Sequence, residues 1–383
     1  MDPERSRPGT GENPQPSTLN TQRLLTIAGL LLAAVAAAQE PQFFEPPSDK
    51  PHLVFRWDAL ARYDVIDHLR FRPGIERLRL EVRPELDLVF SDRFKIGARA
   101  VGDLGTDHNE DNGKNFDNYR SRGASLERYY VEAKPGRATI RAGSFGMPLV
   151  ASEMLWDRDI QALGVAGAWE FSTGDASTLT AAAAGFYGPQ REGDRTRIGA
   201  GQLVFRTGDP GRLALEVAGS YWHMDPEGLK AVYIRQNYFV IVGGKRVFVS
   251  KFHVADGIVR LRFPLGRLPV TVSLDGAVNL GVAGEAAQER EKSAVEASVS
   301  VGSVGKPGDW RAFYTYQYVE RDALLGAYTT DDWWFHSWHR GSRAGIAFTI
   351  LPQVFVQGTV MFQKRLDLPV TLNRVTVDLV KTF

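Results

Sequence analysis

The stretch Arg374–Phe383 (RVTVDLVKTF) decides how the rest of the chain is read. In an extended backbone, Val375, Val377, Leu379 and Phe383 point one way. Arg374, Thr376, Asp378 and Thr382 point the other way. A strand that is apolar on one face, polar on the other and ends on an aromatic suits two settings. One is the last strand of a soluble sandwich. The other is the wall of an outer-membrane barrel, greasy toward lipid and wet toward a lumen. The earlier strands decide between them.

Working outward, the same period of two runs through the chain from His52. Leu53, Phe55, Trp57, Ala59, Ala61 and Tyr63 alternate with Arg56, Asp58, Leu60, Arg62 and Asp64. In the next run, Leu78, Leu80, Val82, Leu86, Leu88 and Phe90 share one face. Arg77, Arg79, Glu81, Arg83, Glu85 and Asp87 share the other. Further alternating runs occupy 93–103, 126–134, 138–143, 163–171, 179–187, 198–206, 213–222, 252–263, 270–279, 294–301, 310–320, 343–350 and 354–363. With the closing stretch they make about sixteen strands of roughly ten residues, the length a tilted membrane strand requires.

The connections carry the strongest argument, because short and long ones alternate. The short ones are 91–92, 135–136, 172–176, 208–211, 265–268, 305–309 and 351–353, rich in Gly, Pro and Asp as tight hairpins demand. The long ones are 65–73, 105–124, 144–162, 188–197, 223–251, 280–292, 321–342 and 365–371. This places every short turn at one rim and every long loop at the other, the asymmetry of outer-membrane barrels with periplasmic turns and external loops. The fold expected for 52–383 is therefore all-β: a transmembrane antiparallel barrel of about sixteen strands.

Composition agrees. The 383 residues carry a formal net charge of +1, so charge points to no nucleic-acid partner. Mean hydropathy is −0.23, which a barrel tolerates because alternation never builds a long apolar run. Cysteine is absent, so no disulfide, thiol nucleophile or thiolate metal site is available. Arg23, the apolar run Leu24–Ala38 and the Ala36-x-Ala38 pattern read as a secretory signal peptide over 1–38, with an over-long region before it. Residues 39–51, rich in proline, read as a periplasmic lead-in.

Three stretches resemble the putative porin family of bacterial outer membranes, which is distantly similar to the anion-selective porins. They are Ile140–Ala166 (IRAGSFGMPLVASEMLWDRDIQALGVA), Leu268–Asn279 (LPVTVSLDGAVN) and Gly305–Asp322 (GKPGDWRAFYTYQYVERD) with the terminal VTVDLVKTF. The resemblance implies a channel-forming barrel for passive diffusion of small hydrophilic solutes and ions, embedded in outer-membrane lipid. It also implies a homotrimer, and insertion by the barrel-assembly machinery through the terminal Phe383. Two features depart from the pattern. The insertion 231–252 is unusually apolar, and Lys381 stands where an apolar residue is common, a place a lysine tolerates by snorkelling.

Candidate channel-lining residues on the polar face of the first strands are Arg56, Asp58, Arg62, Arg77, Arg79, Glu81, Arg83, Glu85, Asp87, Lys95, Arg99 and Arg141. Their arginine excess favours anions weakly, while cross-strand ion pairing would make most of them braces of the wall. The loop 144–162, with Glu153, Asp157, Arg158 and Asp159, either folds inward as a constriction or lies over the rim. Asp332, Trp333, Trp334, Phe335, His336, Trp338 and His339 read first as an interface girdle. Sugar contact is a second reading, and a metal site on His336 and His339 would lack a third ligand. Phe239–Ser250 reads as an extra hairpin turned at Gly243–Gly244, which either extends two wall strands above the membrane or folds inward as a plug, and whose apolar character also suits a subunit or partner contact. The competing classes are an outer-membrane lipid hydrolase, for which no nucleophile–base–acid set can be assigned, and a structural or adhesive barrel. No cofactor is implied.

Overall fold

We describe residues 50–67, 74–105, 123–174, 176–188, 195–209, 211–226, 229, 237–284, 290–369 and 371–382 of a computed structural model of the chain. The signal-peptide expectation for 1–38, most of the lead-in and the terminal Phe383 lie outside these residues.

Eighteen strands follow in order. They are β1 (His52–Asp67), β2 (Ile75–Ser91), β3 (Phe94–Gly105), β4 (Gly123–Ala133), β5 (Ala138–Phe145), β6 (Ala162–Gly174), β7 (Ser177–Tyr187), β8 (Arg197–Asp209) and β9 (Leu213–Asp225). Next come β10 (Phe239–Val242), β11 (Lys245–Phe248), β12 (Phe252–Leu265), β13 (Leu268–Asn279), β14 (Ser293–Gly302), β15 (Trp310–Val319), β16 (His339–Leu351), β17 (Val354–Arg365) and β18 (Thr371–Lys381). Sixteen of them form a closed antiparallel barrel. Each pairs with its neighbours in sequence, β9 passes directly to β12, and β18 returns to β1. The strand count read from periodicity is the observed one.

Closure is a matter of register. Opposite Asp64 stand Thr376 of β18 and Arg77 of β2, so the polar faces of the first, second and last strands coincide. A slip of one residue would turn Arg374 and Asp378 into lipid. The apolar residues of each alternating run face outward: Leu53, Phe55, Val82, Leu86, Val375 and Val377 are all exposed. Their neighbours Asp64, Arg77, Glu81, Asp87, Arg374 and Asp378 are buried inside. Lys381, which also points outward, lies with its ammonium 5.5 Å from the centre of the Trp57 ring and donates to the Gln353 side chain at 3.0 Å. The lysine in the terminal pattern thus sits at the short-turn rim with its charge satisfied.

The connections keep the expected alternation around the whole barrel, from the two-residue turn after β2 to the long segment between β15 and β16. The insertion forms a hairpin of its own, β10 with β11, separate from the barrel sheet. Gly243 and Gly244 have φ of 56° and 76°, the left-handed pair that a two-residue turn of this hand requires. The hairpin does not extend the wall strands. Its foot is clasped instead to the β15–β16 connection. Asn237 Nδ2 donates to the carbonyls of Arg321 and Leu324, and the Asp322 carboxylate accepts from the Tyr238 amide (2.8 Å) and from Ser250 Oγ (2.5 Å). Burial pushes the Asp322 carboxyl up from its ordinary value, against these hydrogen bonds.

Candidate functional site

The barrel interior is divided, and the divider is the connection from β5 to β6. The lumenal faces of β6–β8 carry Ala162, Ala166, Ala182, Ala184 and Ala200, small enough to leave room for a second layer. Into that room fold Leu149, Met154, Leu155, Trp156 and Ile160, each nearly inaccessible to solvent. Trp156 lies parallel to Tyr328 with ring centres 5.2 Å apart, parallel to Trp222 at 6.1 Å, and edge-on to Phe186 at 5.4 Å. The largest apolar cluster among the described residues is therefore inside the barrel, and it fixes the loop to one side of the bore. Burying an indole among aromatics stabilises that placement by a few kcal/mol.

Polar contacts set where the loop runs. Gln202 of β8 accepts from the Val150 amide at 2.8 Å and donates to its carbonyl at 2.7 Å. At one end Glu153 pairs with Arg343 of β16. At the other, Asp159 pairs with Arg83 of β2 at 2.6 Å, and Arg128 donates to Gln161 at 2.6 Å. The loop thus packs its apolar residues against the lumenal side of β6–β8. Asp157 does not face open space. Its side chain accepts from the amides of Asp159 and Asp331, and its amide donates to the Tyr328 carbonyl, which fastens this loop to the β15–β16 connection. Arg158 is the exposed member, its side chain 83% accessible.

Between this loop and the wall of β12–β18 lies a cavity of about 650 Å³. The loop contributes Ala151, Ser152, Glu153 and Arg158. The wall contributes serines and threonines interspersed with arginines. Its charged lining is Arg62, Arg158, Arg260, Arg262, Arg311, Arg343 and Arg374 against Glu153, Glu296 and Asp332, seven arginines to three carboxylates. Several arginines are neutralised in place. Arg260 pairs with Glu216 at 2.5 Å, Arg343 with Asp332 at 3.3 Å, and Arg62 with Asp332 at 2.7 Å and with Asp378 at 2.8 Å. Partial burial would raise the Asp332 carboxyl, but the guanidiniums of Arg62, Arg343 and Arg374 outweigh it and hold that group well below the usual carboxylate range. Arg262 and Arg311 face the cavity with no carboxylate in pairing distance among the described residues; Arg311 donates to Gln357 at 3.0 Å.

The wall residues singled out in the first strands lie elsewhere, Arg62 excepted. They form a dense ladder of ion pairs on β1–β5. Arg56 pairs with Glu85 and Asp87, Lys95 with Asp87, Arg77 with Asp64, and Arg79 with Glu81. Arg83 pairs with Glu81 at 2.6 Å, Arg99 with Glu127 at 2.7 Å and more distantly with Asp58 at 3.7 Å, and Arg141 with Glu132 at 2.6 Å. The structure thus separates a braced wall, rich in pairs, from a cavity wall with surplus cations. The arginines of β12, β15, β16 and β18 that line the cavity share the alternating polar faces read from the sequence. Nothing in the sequence marked them above the others, because the loop chooses which wall stays open.

The aromatic segment corrects one expectation. Trp333 does not face lipid. It is buried in the barrel mouth with Ile66, Ile75, Met361 and Leu372, and it stacks on His339 with centres 5.7 Å apart. His336 and His339 are buried on separate partners, Thr329 and Gln317. Trp338 lies under the guanidiniums of Arg321 and Arg365, at 4.3 and 5.4 Å.

Comparison with known proteins places this geometry. Residues 271–380 match the family model described as "putative porin", so the resemblance read from the sequence holds across that stretch. No curated protein matches the chain. Among solved structures, the chain is similar to OprB of Pseudomonas putida, at 11% identity and a TM-score of 0.59, covering 86% of this chain and 94% of that one. It is also similar to the anion-selective porin of Comamonas acidovorans, at 11% identity and a TM-score of 0.50, covering 87% and 100%. A third is a loop-deletion variant of OmpT, an outer membrane protein of Vibrio cholerae, at 9% identity and a TM-score of 0.50, covering 86% and 99%. At these identities the likeness is one of fold: this is a barrel of the outer-membrane type.

Proposed function

We propose that the chain is an outer-membrane porin, a passive diffusion channel for small hydrophilic solutes that favours anions. The observation that carries this reading is the cavity between the inward loop and β12–β18, with Arg262 and Arg311 unneutralised on its wall. An ion entering such a bore exchanges bulk water for a lining of hydroxyls and guanidiniums. The surplus positive charge raises the local concentration of anions and opposes cations. Glu153, Arg158 and Asp159 belong to the loop that limits the width. Asp157 holds that loop rather than meeting the solute. The ladder on β1–β5 keeps the opposite wall rigid through pairs that are largely buried, among them Arg77–Asp64, Arg79–Glu81 and Arg99–Glu127.

A homotrimer belongs to the same reading and rests on the family likeness, as does delivery by the barrel-assembly machinery with the closing strand as its signal. Chemical cross-linking of the detergent-extracted protein checks the first. Planar-bilayer recordings across a salt gradient test the channel itself. Reversal potentials of the sign set by chloride are expected, and cation-selective steps, or no steps at all from correctly folded protein, reject the reading.

A further inference from the structure

On the outer face of the barrel, at the rim that carries the long loops, two histidines face each other. His223 is near the end of β9 and His253 is the second residue of β12, and the register sets them directly opposite. Both are on the outward side, since their neighbours Trp222, Met224, Phe252 and Val254 are the buried, lumenal residues. The two Nδ1 atoms are 3.2 Å apart and the rings 4.7 Å between centres. Tyr221, two positions along the same face, brings its hydroxyl to 3.0 Å from the same Nδ1 of His253. In this state one imidazole donates and the other accepts, and two borderline imidazole nitrogens and one hard phenolic oxygen are gathered on one exposed patch.

The His253 ring is not free to swing away. Its backbone amide donates to the Asn279 side chain, and its carbonyl accepts from the Leu280 amide. Its Cδ2 lies over Gly281, where a β-carbon would come within 2.8 Å. Glycine at 281 therefore leaves the space that the imidazole fills, and the ring is held with Nδ1 toward His223. For late first-row divalent ions, metal–nitrogen bonds of about 2.0–2.1 Å at a tetrahedral angle place two ligand nitrogens about 3.3 Å apart. The observed spacing of 3.2 Å is that span. Imidazole suits such ions, and a cation just off the line between the rings takes the place of the proton between them; by exchange with water that ring carries its proton on Nε2 instead, so both neutral imidazoles offer Nδ1 to the metal.

We propose that His223 and His253, with the Tyr221 hydroxyl beside them, form a binding site for a divalent transition-metal ion of the zinc, copper or nickel class. Its remaining coordination positions open outward, toward water or the anionic oxygens of headgroups. The site lies outside the bore, so the ion joins two barrel strands at the foot of the 226–251 connection without touching the permeating solute. Neighbouring strands are already paired there, and the metal acts as a clip across them.

The test uses the full barrel in detergent, titrated with Zn²⁺ alone by calorimetry, with Ni²⁺ as a second probe. One ion per chain is expected. His223→Ala and His253→Ala should each weaken binding at least tenfold, and His52→Ala should leave it unchanged. Tyr221→Phe should weaken binding less than either histidine change. Heat-modified gel migration reports that each variant is folded, and single-channel conductance should be the same in all of them. Wild-type protein that takes up no ion, or uptake that survives in the folded His223→Ala/His253→Ala double variant, overturns the proposal.

Discussion

Asp64 and Arg374, 310 residues apart in the chain, meet at the seam of the barrel: Arg374 Nε donates to Asp64 Oδ1 at 2.8 Å and Nη2 to Oδ2 at 3.0 Å. Arg77 completes the group, its Nε donating to the same carboxylate at 2.8 Å. Asp64 is fully buried and both arginines nearly so. Two guanidiniums around one carboxylate, out of bulk water, hold the first strand between the second and the last.

Removing that carboxylate takes from two buried cations the anion they share. Asp64→Ala is expected to destabilise the barrel by about 3–5 kcal/mol. The temperature at which the folded band converts to the unfolded one on a gel should fall. Asp64→Ala combined with Arg374→Ala should cost clearly less than the two single changes added together, because the partners share one interaction. Strict additivity would mean that the seam is held by the backbone ladder alone.

Selectivity should reside in the unpaired cations of the cavity. A unit charge about 7 Å from the ion path is worth roughly 0.6 kcal/mol in water, about threefold for each ion in opposite directions and so roughly eightfold in the anion-to-cation ratio at low salt. Arg262→Gln and Arg311→Gln should each lower the ratio by that order, and the pair should lower it further. Arg79→Gln, on the braced wall beside Glu81, should alter it little. The readout is the reversal potential in a salt gradient. Equal effects at all three sites would remove the distinction between the two walls.

The placement of the inward loop depends on Trp156 and Gln202. Trp156→Ala empties a fully buried aromatic stack and should loosen the loop by about 3–5 kcal/mol. Gln202→Ala removes both hydrogen bonds to Val150 and should act in the same direction more weakly, by about 1–3 kcal/mol. Larger or noisier single-channel currents are expected from both, together with protease cleavage within 146–161. Wild-type currents from folded Trp156→Ala would show that the loop does not set the width.

Asp332 should stay ionised across the working range of pH. Its folded value is depressed by Arg62, Arg343 and Arg374. Its stabilising contribution is therefore complete above the unfolded carboxylate value of about 3.9 and is lost only as pH falls below that toward the folded value. The shift in reversal potential caused by Asp332→Asn should be the same at pH 5 as at pH 8. A shift that disappears at pH 5 would mean that the carboxyl titrates in the range where the three guanidiniums hold it charged.

Much of this was legible without coordinates. Alternation of Leu78, Leu80 and Val82 with Arg77, Arg79 and Glu81 fixes which side of β2 is wet, because a strand repeats every two residues. Glycine and proline at the short turns fix which rim is which, and sixteen such runs leave a closed barrel as the one way to pair every edge. The hairpin at Gly243–Gly244 was readable for the same reason: its turn needs left-handed backbone, and the residues there supply it.

Local periodicity says that a side chain faces inward, not what it meets there. Arg79 and Arg311 both lie on the inward faces of their strands, yet one is buried beside Glu81 and the other faces the cavity. That difference comes from a loop that packs Trp156 onto the alanine-lined half of the wall, a contact between segments distant in sequence. It also comes from a register that brings Asp64 to Arg374, and His223 to His253. Strand character is a property of neighbouring residues, whereas open space and partnership are properties of the whole closed sheet, and only the tertiary structure decides them.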